Sequence, residues 1–117
     1  RRICSNCKVE YVPLPQIIDE MKSALGSLFP PTKTEVKLSK GKGCEKCATS
    51  GYLGRIGIFE TLPVTPKIAQ LVLKSSDSGT IEKQAIAEGM ITMKQDGYIK
   101  VLQGITTVEE VIRVAQE

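Results

Sequence analysis

Four cysteines, arranged as two C-x-x-C pairs, are the residues of this chain best suited to chemistry. Cys4 and Cys7 form the first pair, Cys44 and Cys47 form the second, and the 117-residue chain has no other cysteine. A C-x-x-C turn brings two sulfur atoms close enough to bind one metal ion, and two such turns supply four thiolates. The spacing therefore predicts a tetrahedral metal site that suits zinc.

Such a site is expected to be structural rather than catalytic. Four protein ligands leave no open position on a tetrahedral zinc ion for water or substrate. The chain also contains no histidine, which removes the commonest general base and any Ser-His-Asp or Cys-His set. The residue types thus argue against hydrolytic chemistry and favour a zinc ion that closes the first third of the chain into one unit.

Other uses of the four thiols stay open. The spacer, residues 8–43, is longer than the ~15–20 residues of the commonest double-knuckle pattern, and four thiolates also bind iron. One C-x-x-C pair could instead be a thioredoxin-like dithiol. Disulfides are disfavoured because a C-x-x-C link is strained and reducible, and because nothing else in the chain indicates secretion.

Composition limits both the core and the kind of partner. An apolar fraction of 41% supports a folded core, but the chain has no Trp and few other aromatic residues, so a small unit would benefit from a metal staple. Bound zinc with four thiolates would bring the formal charge of +3 to about +1. That argues against nucleic acid, although a nucleic-acid-binding zinc ribbon stays an alternative because of one basic stretch. Its lysines are Lys33, Lys37, Lys40, Lys42 and Lys46.

No second site stands out from the sequence. Residues 41–43, Gly-Lys-Gly, match only part of a phosphate loop, and the full G-x-x-x-x-G-K-[ST] pattern is absent. The adjacent carboxylates Asp19-Glu20 and Glu109-Glu110 are expected to be solvated, because neighbouring residues on a helix point in different directions.

Short strands and one helix are predicted to position the cysteines. Residues 8–12, 35–39 and 55–60 alternate polar and apolar side chains, as strands do. Residues 16–25 carry the apolar stripe of a helix. Glycines are expected where the second ligand loop needs positive φ angles, at Gly41, Gly43, Gly51 and Gly54.

After Pro63 the apolar periodicity becomes helical and predicts three or four short helices. Their expected starts are Thr65 followed by Pro66, then Thr80, then residue 93, then the Thr107-x-x-Glu110 capping box. The sequence thus predicts an α+β fold in two parts. Residues 1–62 form a zinc-stapled unit with short antiparallel strands and a helix, and residues 63–117 form a small all-helical unit.

The order of motifs along the chain resembles that of one protein family. Arg1-Arg2-Ile3-Cys4-x-x-Cys7 is followed by Gly43-Cys44-x-x-Cys47 and by Gly-Tyr-x-Gly-Arg-Ile-Gly-Ile-Phe-Glu at residues 51–60. Gly89-Met90, Asp96-Gly97, Lys100-Val101 and the run at residues 104–111 come next. This combination resembles the C-terminal part of the type II secretion and type IV pilus assembly ATPases over essentially the whole chain.

The resemblance implies a zinc ion at the four cysteines, in a small domain attached to a nucleotide-binding core. It implies a longer parent that is a hexameric cytoplasmic ATPase, peripheral to the inner membrane, with ATP and Mg²⁺ in the core. The Walker motifs of that core have no counterpart here, and the chain starts at Arg1 without Met, so we expect a non-catalytic fragment. Retraction ATPases of the superfamily typically lack the cysteine unit, which favours the assembly or secretion branch.

The same resemblance implies the partners. They are expected to be an inner-membrane platform protein, other secretion or pilus assembly components, and neighbouring subunits of the hexamer. Nucleic acid is not expected.

Overall fold

The computed structural model of the chain describes residues 1–30 and 36–115. Its strands and helices, in chain order, are β1 Lys8–Tyr11, α1 Pro15–Leu25, β2 Leu38–Gly41, α2 Pro66–Leu73, α3 Ser78–Ala87, α4 Met93–Leu102 and α5 Val108–Val114. Single 3-10 turns occur at Gly26–Leu28 and Glu45–Cys47. The predicted α+β class is confirmed. Lys33 of the basic stretch and Glu35 of the predicted second strand lie outside the described residues.

A two-stranded antiparallel sheet brings the two cysteine pairs together. β1 and β2 pair antiparallel, with Lys8 opposite Gly41 and Tyr11 opposite Leu38. β1 starts directly after Cys7, and β2 ends three residues before Cys44. Because paired strands lie roughly 5 Å apart, the register places both cysteine turns at the same end of the sheet.

The strand predicted at residues 55–60 is wrong. The alternation is real, since Ile56 and Ile58 are half-buried while Phe59 is exposed. However, no strand of the described residues pairs with this segment, and a ladder needs a partner. The Phe59 N–H instead donates to the Asp96 carboxylate at 2.8 Å.

Local capping chemistry sets most of the helix starts. The Thr65 hydroxyl accepts from the Ile68 N–H at the start of α2, as predicted. The predicted cap at Thr80 is wrong, because Asp77 caps α3 by accepting from the Thr80 N–H at 2.8 Å. Asp is as good an N-cap as Thr, and its earlier position begins the helix three residues sooner.

One buried cluster joins the first and last parts of the chain. It combines side chains of α1 and β2 with side chains of α4 and α5. Its members are Met21, Leu25, Leu38, Tyr98, Val101, Val108 and Val111. By contrast, α2 and α3 pack mainly on each other. The division between residues 1–62 and 63–117 stays a prediction, and the buried cluster draws on both sides of it.

No helix within the described ranges is both long enough and apolar enough to cross a membrane.

Candidate metal centre

The four predicted ligand atoms converge on one point. All four cysteine Sγ atoms lie within 4.8 Å of one another. The Sγ–Sγ distance is 3.8 Å for Cys4 and Cys44, 3.9 Å for Cys7 and Cys47, and 3.6 Å for Cys44 and Cys47. A tetrahedral zinc ion with Zn–S bonds of about 2.3 Å requires sulfur atoms about 3.8 Å apart. The cluster therefore has the size and donor set for one tetrahedral metal ion.

Backbone N–H groups of two glycines point at the sulfur atoms. The Gly43 N–H donates to Cys7 Sγ at 3.3 Å, and the Gly51 N–H donates to Cys47 Sγ at 3.2 Å. Their φ angles are +99° and +81°, which glycine adopts at little cost. Gly41 does not have a positive φ. A glycine is needed at this position for a different reason, because a Cβ there would overlap the Gly51 carbonyl.

The same loops make two of the thiols more acidic. The Asn6 side-chain amide donates to Cys44 Sγ at 3.3 Å and is the main reason that the pKa of Cys44 falls to about 6. Burial opposes ionisation of Cys47, but the N–H groups of Cys44 and Gly51 outweigh it and lower its pKa. Hydrogen bonds to a thiolate favour the charged form. The loops therefore favour ionised Cys44 and Cys47 thiols, and thiolates are the form that binds a cation.

Cys7 behaves differently from its neighbours. Burial is the main reason that its pKa rises to about 11 in the metal-free cluster, although the Gly43 N–H lowers it. Burial of the Cys7 thiol thus conflicts with the ionisation that a metal ligand needs. A divalent ion would remove that conflict, since a coordinating thiol is deprotonated outright.

An ion-pair cluster beside the centre was not predicted. Glu110, expected to be solvated, is only 4% exposed and accepts from Arg1 Nη2 at 2.6 Å and Arg113 Nη2 at 2.8 Å. The predicted capping box is therefore only half right. The Thr107 hydroxyl accepts from the Glu110 N–H, but the Glu110 carboxylate turns to the arginines. The i, i+3 spacing of Glu110 and Arg113 was the one local pattern in the sequence that indicated an ion pair at Glu110.

Hydrogen bonds next to this ion-pair cluster hold the residues that lead into Cys4. The Thr106 hydroxyl donates to the Arg1 carbonyl at 2.7 Å, and the Ile3 N–H donates to the Ile105 carbonyl at 2.9 Å. The Cys4 N–H donates to the Gly51 carbonyl at 2.9 Å. Cys4 is thus held between the second ligand loop and the loop before α5.

Comparison with known sequences identifies the family to which this fold and its four-cysteine cluster belong. The family described as "Type II/IV secretion system protein" matches residues 1–113. The chain belongs to this family, and the family predicted from the order of motifs is confirmed.

Individual relatives point to two kinds of machinery. The chain is similar to the type IV pilus assembly ATPases PilB of Thermus thermophilus, 38% identical over 96% of this chain, and of Pseudomonas aeruginosa, 36% identical over 100%. It is also similar to type II secretion system protein E of Pectobacterium carotovorum, 35% identical over 100% of this chain. The matched region spans only 12%, 20% and 22% of these relatives' lengths.

Proposed function

We propose that this chain is the zinc-binding part of an ATPase that powers type IV pilus assembly or type II protein secretion. Cys4, Cys7, Cys44 and Cys47 would be the ligands of one structural zinc ion. The observation that carries the proposal is the convergence of four sulfur atoms at tetrahedral spacing. It occurs in a chain that the secretion family matches along residues 1–113.

In this proposal the zinc replaces part of a core that the chain is too short to build. Structural zinc contributes about 10–16 kcal/mol of apparent binding free energy in finger peptides at neutral pH. That is as large as the whole net stability of about 5–15 kcal/mol that is typical of folded domains. Metal binding would therefore decide whether the two cysteine turns hold together.

ATP hydrolysis is assigned to the rest of the parent protein. The relatives named as ATPases are five or more times longer than the matched region, and the chain contains no Walker A pattern. We infer that ATP and Mg²⁺ bind in a core outside this chain. The zinc unit would position contacts with an inner-membrane platform protein and with neighbouring subunits of a hexamer on the cytoplasmic side.

Metal content is the first test. The chain is purified under reducing conditions without chelator and measured by elemental analysis and native mass spectrometry. About one zinc per chain is expected, and Cys44→Ser should lose it. Ser5→Ala, in the exposed part of the first turn, is the matched control and should keep it. Iron in place of zinc would correct the metal, and a metal-free chain would overturn the proposal.

The positioning role is tested separately. The zinc-loaded chain and a longer ATPase that contains it are each used to capture the cytoplasmic part of the platform protein. We expect capture by both, and no ATP hydrolysis by the chain alone. Failure of both to bind the platform protein would remove the positioning role while leaving the zinc site intact.

A dithiol redox function is the second candidate. It is favoured by the Cys44 thiol, whose pKa of about 6 is typical of reactive cysteines. It predicts turnover with a disulfide substrate by the reduced, metal-free chain. Thiols that resist alkylation until a chelator is added would instead support zinc.

Nucleic-acid binding, the remaining alternative, is tested by gel retardation at low salt, where we expect no shift of DNA or RNA by the chain.

A further inference from the structure

Three arginines line a cleft beside α5 that the zinc site does not use. Arg1, Arg55 and Arg113 come from separate parts of the chain, and Ile56 and Val114 complete the lining of a cleft of about 480 Å³. We propose that this cleft binds a phosphate-bearing anion. The inference is independent of the proposed function, because none of these residues belongs to the cysteine centre.

Two of the guanidinium groups are already held in place. Arg1 donates from Nε and Nη2 to Glu110 Oε1 at 3.1 and 2.6 Å, and Arg113 donates from Nε and Nη2 to the two Glu110 oxygens at 3.3 and 2.8 Å. The Arg1 guanidinium also lies 4.3 Å from the centre of the Tyr52 ring. Because these side chains are ordered before a ligand arrives, binding loses less conformational entropy.

The cleft retains many donors for an incoming anion. A guanidinium carries five N–H donors, and Glu110 takes only two from each of Arg1 and Arg113. The Arg55 side chain is exposed and forms no ion pair within residues 1–30 and 36–115. All five N–H donors of the Arg55 guanidinium can therefore face a ligand, and the planar geometry of this group matches that of phosphate oxygens.

Charge selects the class of ligand. Three arginines face one carboxylate, which leaves an excess of about two positive charges. A phosphate monoester carries about −1.5 to −2 at pH 7 and would neutralise this excess, whereas a single carboxylate would neutralise about half.

Size and lining indicate that the ligand is larger than a lone phosphate ion. Small-molecule sites typically measure about 300–1,000 Å³, a range that includes this cleft. The side chains of Ile56 and Val114 offer apolar contact to whatever the phosphate is attached to. Two sources share this chemistry, a soluble phosphate compound and a phospholipid headgroup.

Calorimetry on the purified chain tests the cleft with sodium pyrophosphate as the soluble probe. Sedimentation with phosphatidylglycerol vesicles, compared with phosphatidylcholine vesicles, tests the lipid source. We expect saturable binding in at least one arm, weakened about tenfold or more by Arg55→Ala, since that variant loses charge-assisted hydrogen bonds to phosphate. Pyrophosphate binding alone identifies a soluble ligand, and vesicle binding alone identifies a lipid headgroup.

Arg2→Ala is the matched control, because Arg2 is another exposed arginine beside Arg1 and is not part of the lining. It should bind like the wild type. An unchanged circular dichroism spectrum and an unchanged urea midpoint would show that both variants are folded. No saturable binding in either arm, equal binding by Arg55→Ala, or equal losses in both variants would overturn the proposal.

Discussion

Asn6 connects the two cysteine turns through one hydrogen bond. Its amide nitrogen, in the first turn, donates to Cys44 Sγ in the second turn at 3.3 Å. Partners that hydrogen-bond to metal ligands typically change metal affinity by about 10–100-fold when they are removed. We therefore predict that Asn6→Ala releases zinc about tenfold faster to a chromogenic chelator, with unchanged stoichiometry.

Ser5→Ala serves as the comparison for Asn6→Ala, because Ser5 is exposed in the same turn. Alkylation of the zinc-loaded chain adds a second readout, since loss of the amide should increase modification at Cys44 more than at Cys4. Equal release rates for Asn6→Ala and the wild type would show that the hydrogen bond does not support the metal.

Glu110 gives a pH-dependent contribution to stability. Hydrogen bonds from Arg1 and then Arg113 hold the pKa of Glu110 well below its usual range, whereas the unfolded value is about 4.3. The ion pairs therefore stabilise the fold fully above pH ~4.3 and progressively less as the pH falls below it. We predict that Glu110→Gln lowers the free energy of unfolding by about 2 kcal/mol at pH 7, and by less at pH 3.5.

Urea unfolding followed by circular dichroism measures this difference for Glu110→Gln against the wild type. Any bound zinc would be lost in acid from both proteins alike, so only their difference is compared. Glu109→Gln is the matched control because Glu109 is the exposed neighbour on α5, and it should change little at either pH. A Glu110→Gln penalty that does not shrink in acid would contradict the assigned ion pairs.

The sequence predicted the cysteine cluster but not the Glu110 cluster, and the reason is distance along the chain. Each C-x-x-C turn is a local pattern whose chemistry is visible within four residues. The Glu110 carboxylate pairs with the Arg1 guanidinium, 109 residues away, and no periodicity in the sequence indicates such a contact. Zinc itself, with the assignment of its ligands, stays a proposal.

At the scale of elements, helices were easier to predict than the third strand. Caps such as Thr65 act within three residues, so their signal is contained in the sequence. Polar and apolar side chains alternate along residues 55–60 as they do in a strand. Strand formation, however, also needs a pairing strand, and the described residues do not supply one for this segment. Pairing is a property of two segments, which a single pattern cannot specify.

The contact between α4 and α5 depends on a glycine. A Cβ at Gly97 would lie 2.7 and 2.9 Å from the two methyl groups of Val111, which is buried in the core. Overpacking typically costs about 1–3 kcal/mol, while Ala gains about 1 kcal/mol over Gly in a helix. We predict that Gly97→Ala lowers the free energy of unfolding by about 1 kcal/mol, measured by urea denaturation.

Gly79→Ala provides the matched control for Gly97→Ala. Gly79 lies in α3, its added Cβ would meet only the end of the Asp77 side chain at 4.0 Å, and its backbone is helical. This variant should be neutral or stabilised by about 0.5 kcal/mol, because only the propensity gain applies. A Gly97→Ala protein as stable as Gly79→Ala would show that Val111 yields without cost.

For the whole molecule, the buried core cluster and the four-cysteine cluster form one connected unit. β2 contributes Leu38 to the core and leads into the second cysteine pair. At the other end, the loop before α5 holds Arg1 and Ile3 next to Cys4. A change at the cysteines should therefore reach α4 and α5 through packed side chains, even though the sequence pattern placed them in a separate unit.

Hydrogen exchange with and without zinc distinguishes these two views of the molecule. Because α4 and α5 share their core with α1 and β2, we predict that chelation reduces amide protection in α4 and α5 together with residues 1–30 and 36–53. Amides of α2 and α3, which pack mainly on each other, should change less. A boundary at residue 62 predicts instead that all helices after residue 63 are spared. Unchanged protection of α4 and α5 after complete zinc removal would therefore contradict the packing argument and support that boundary.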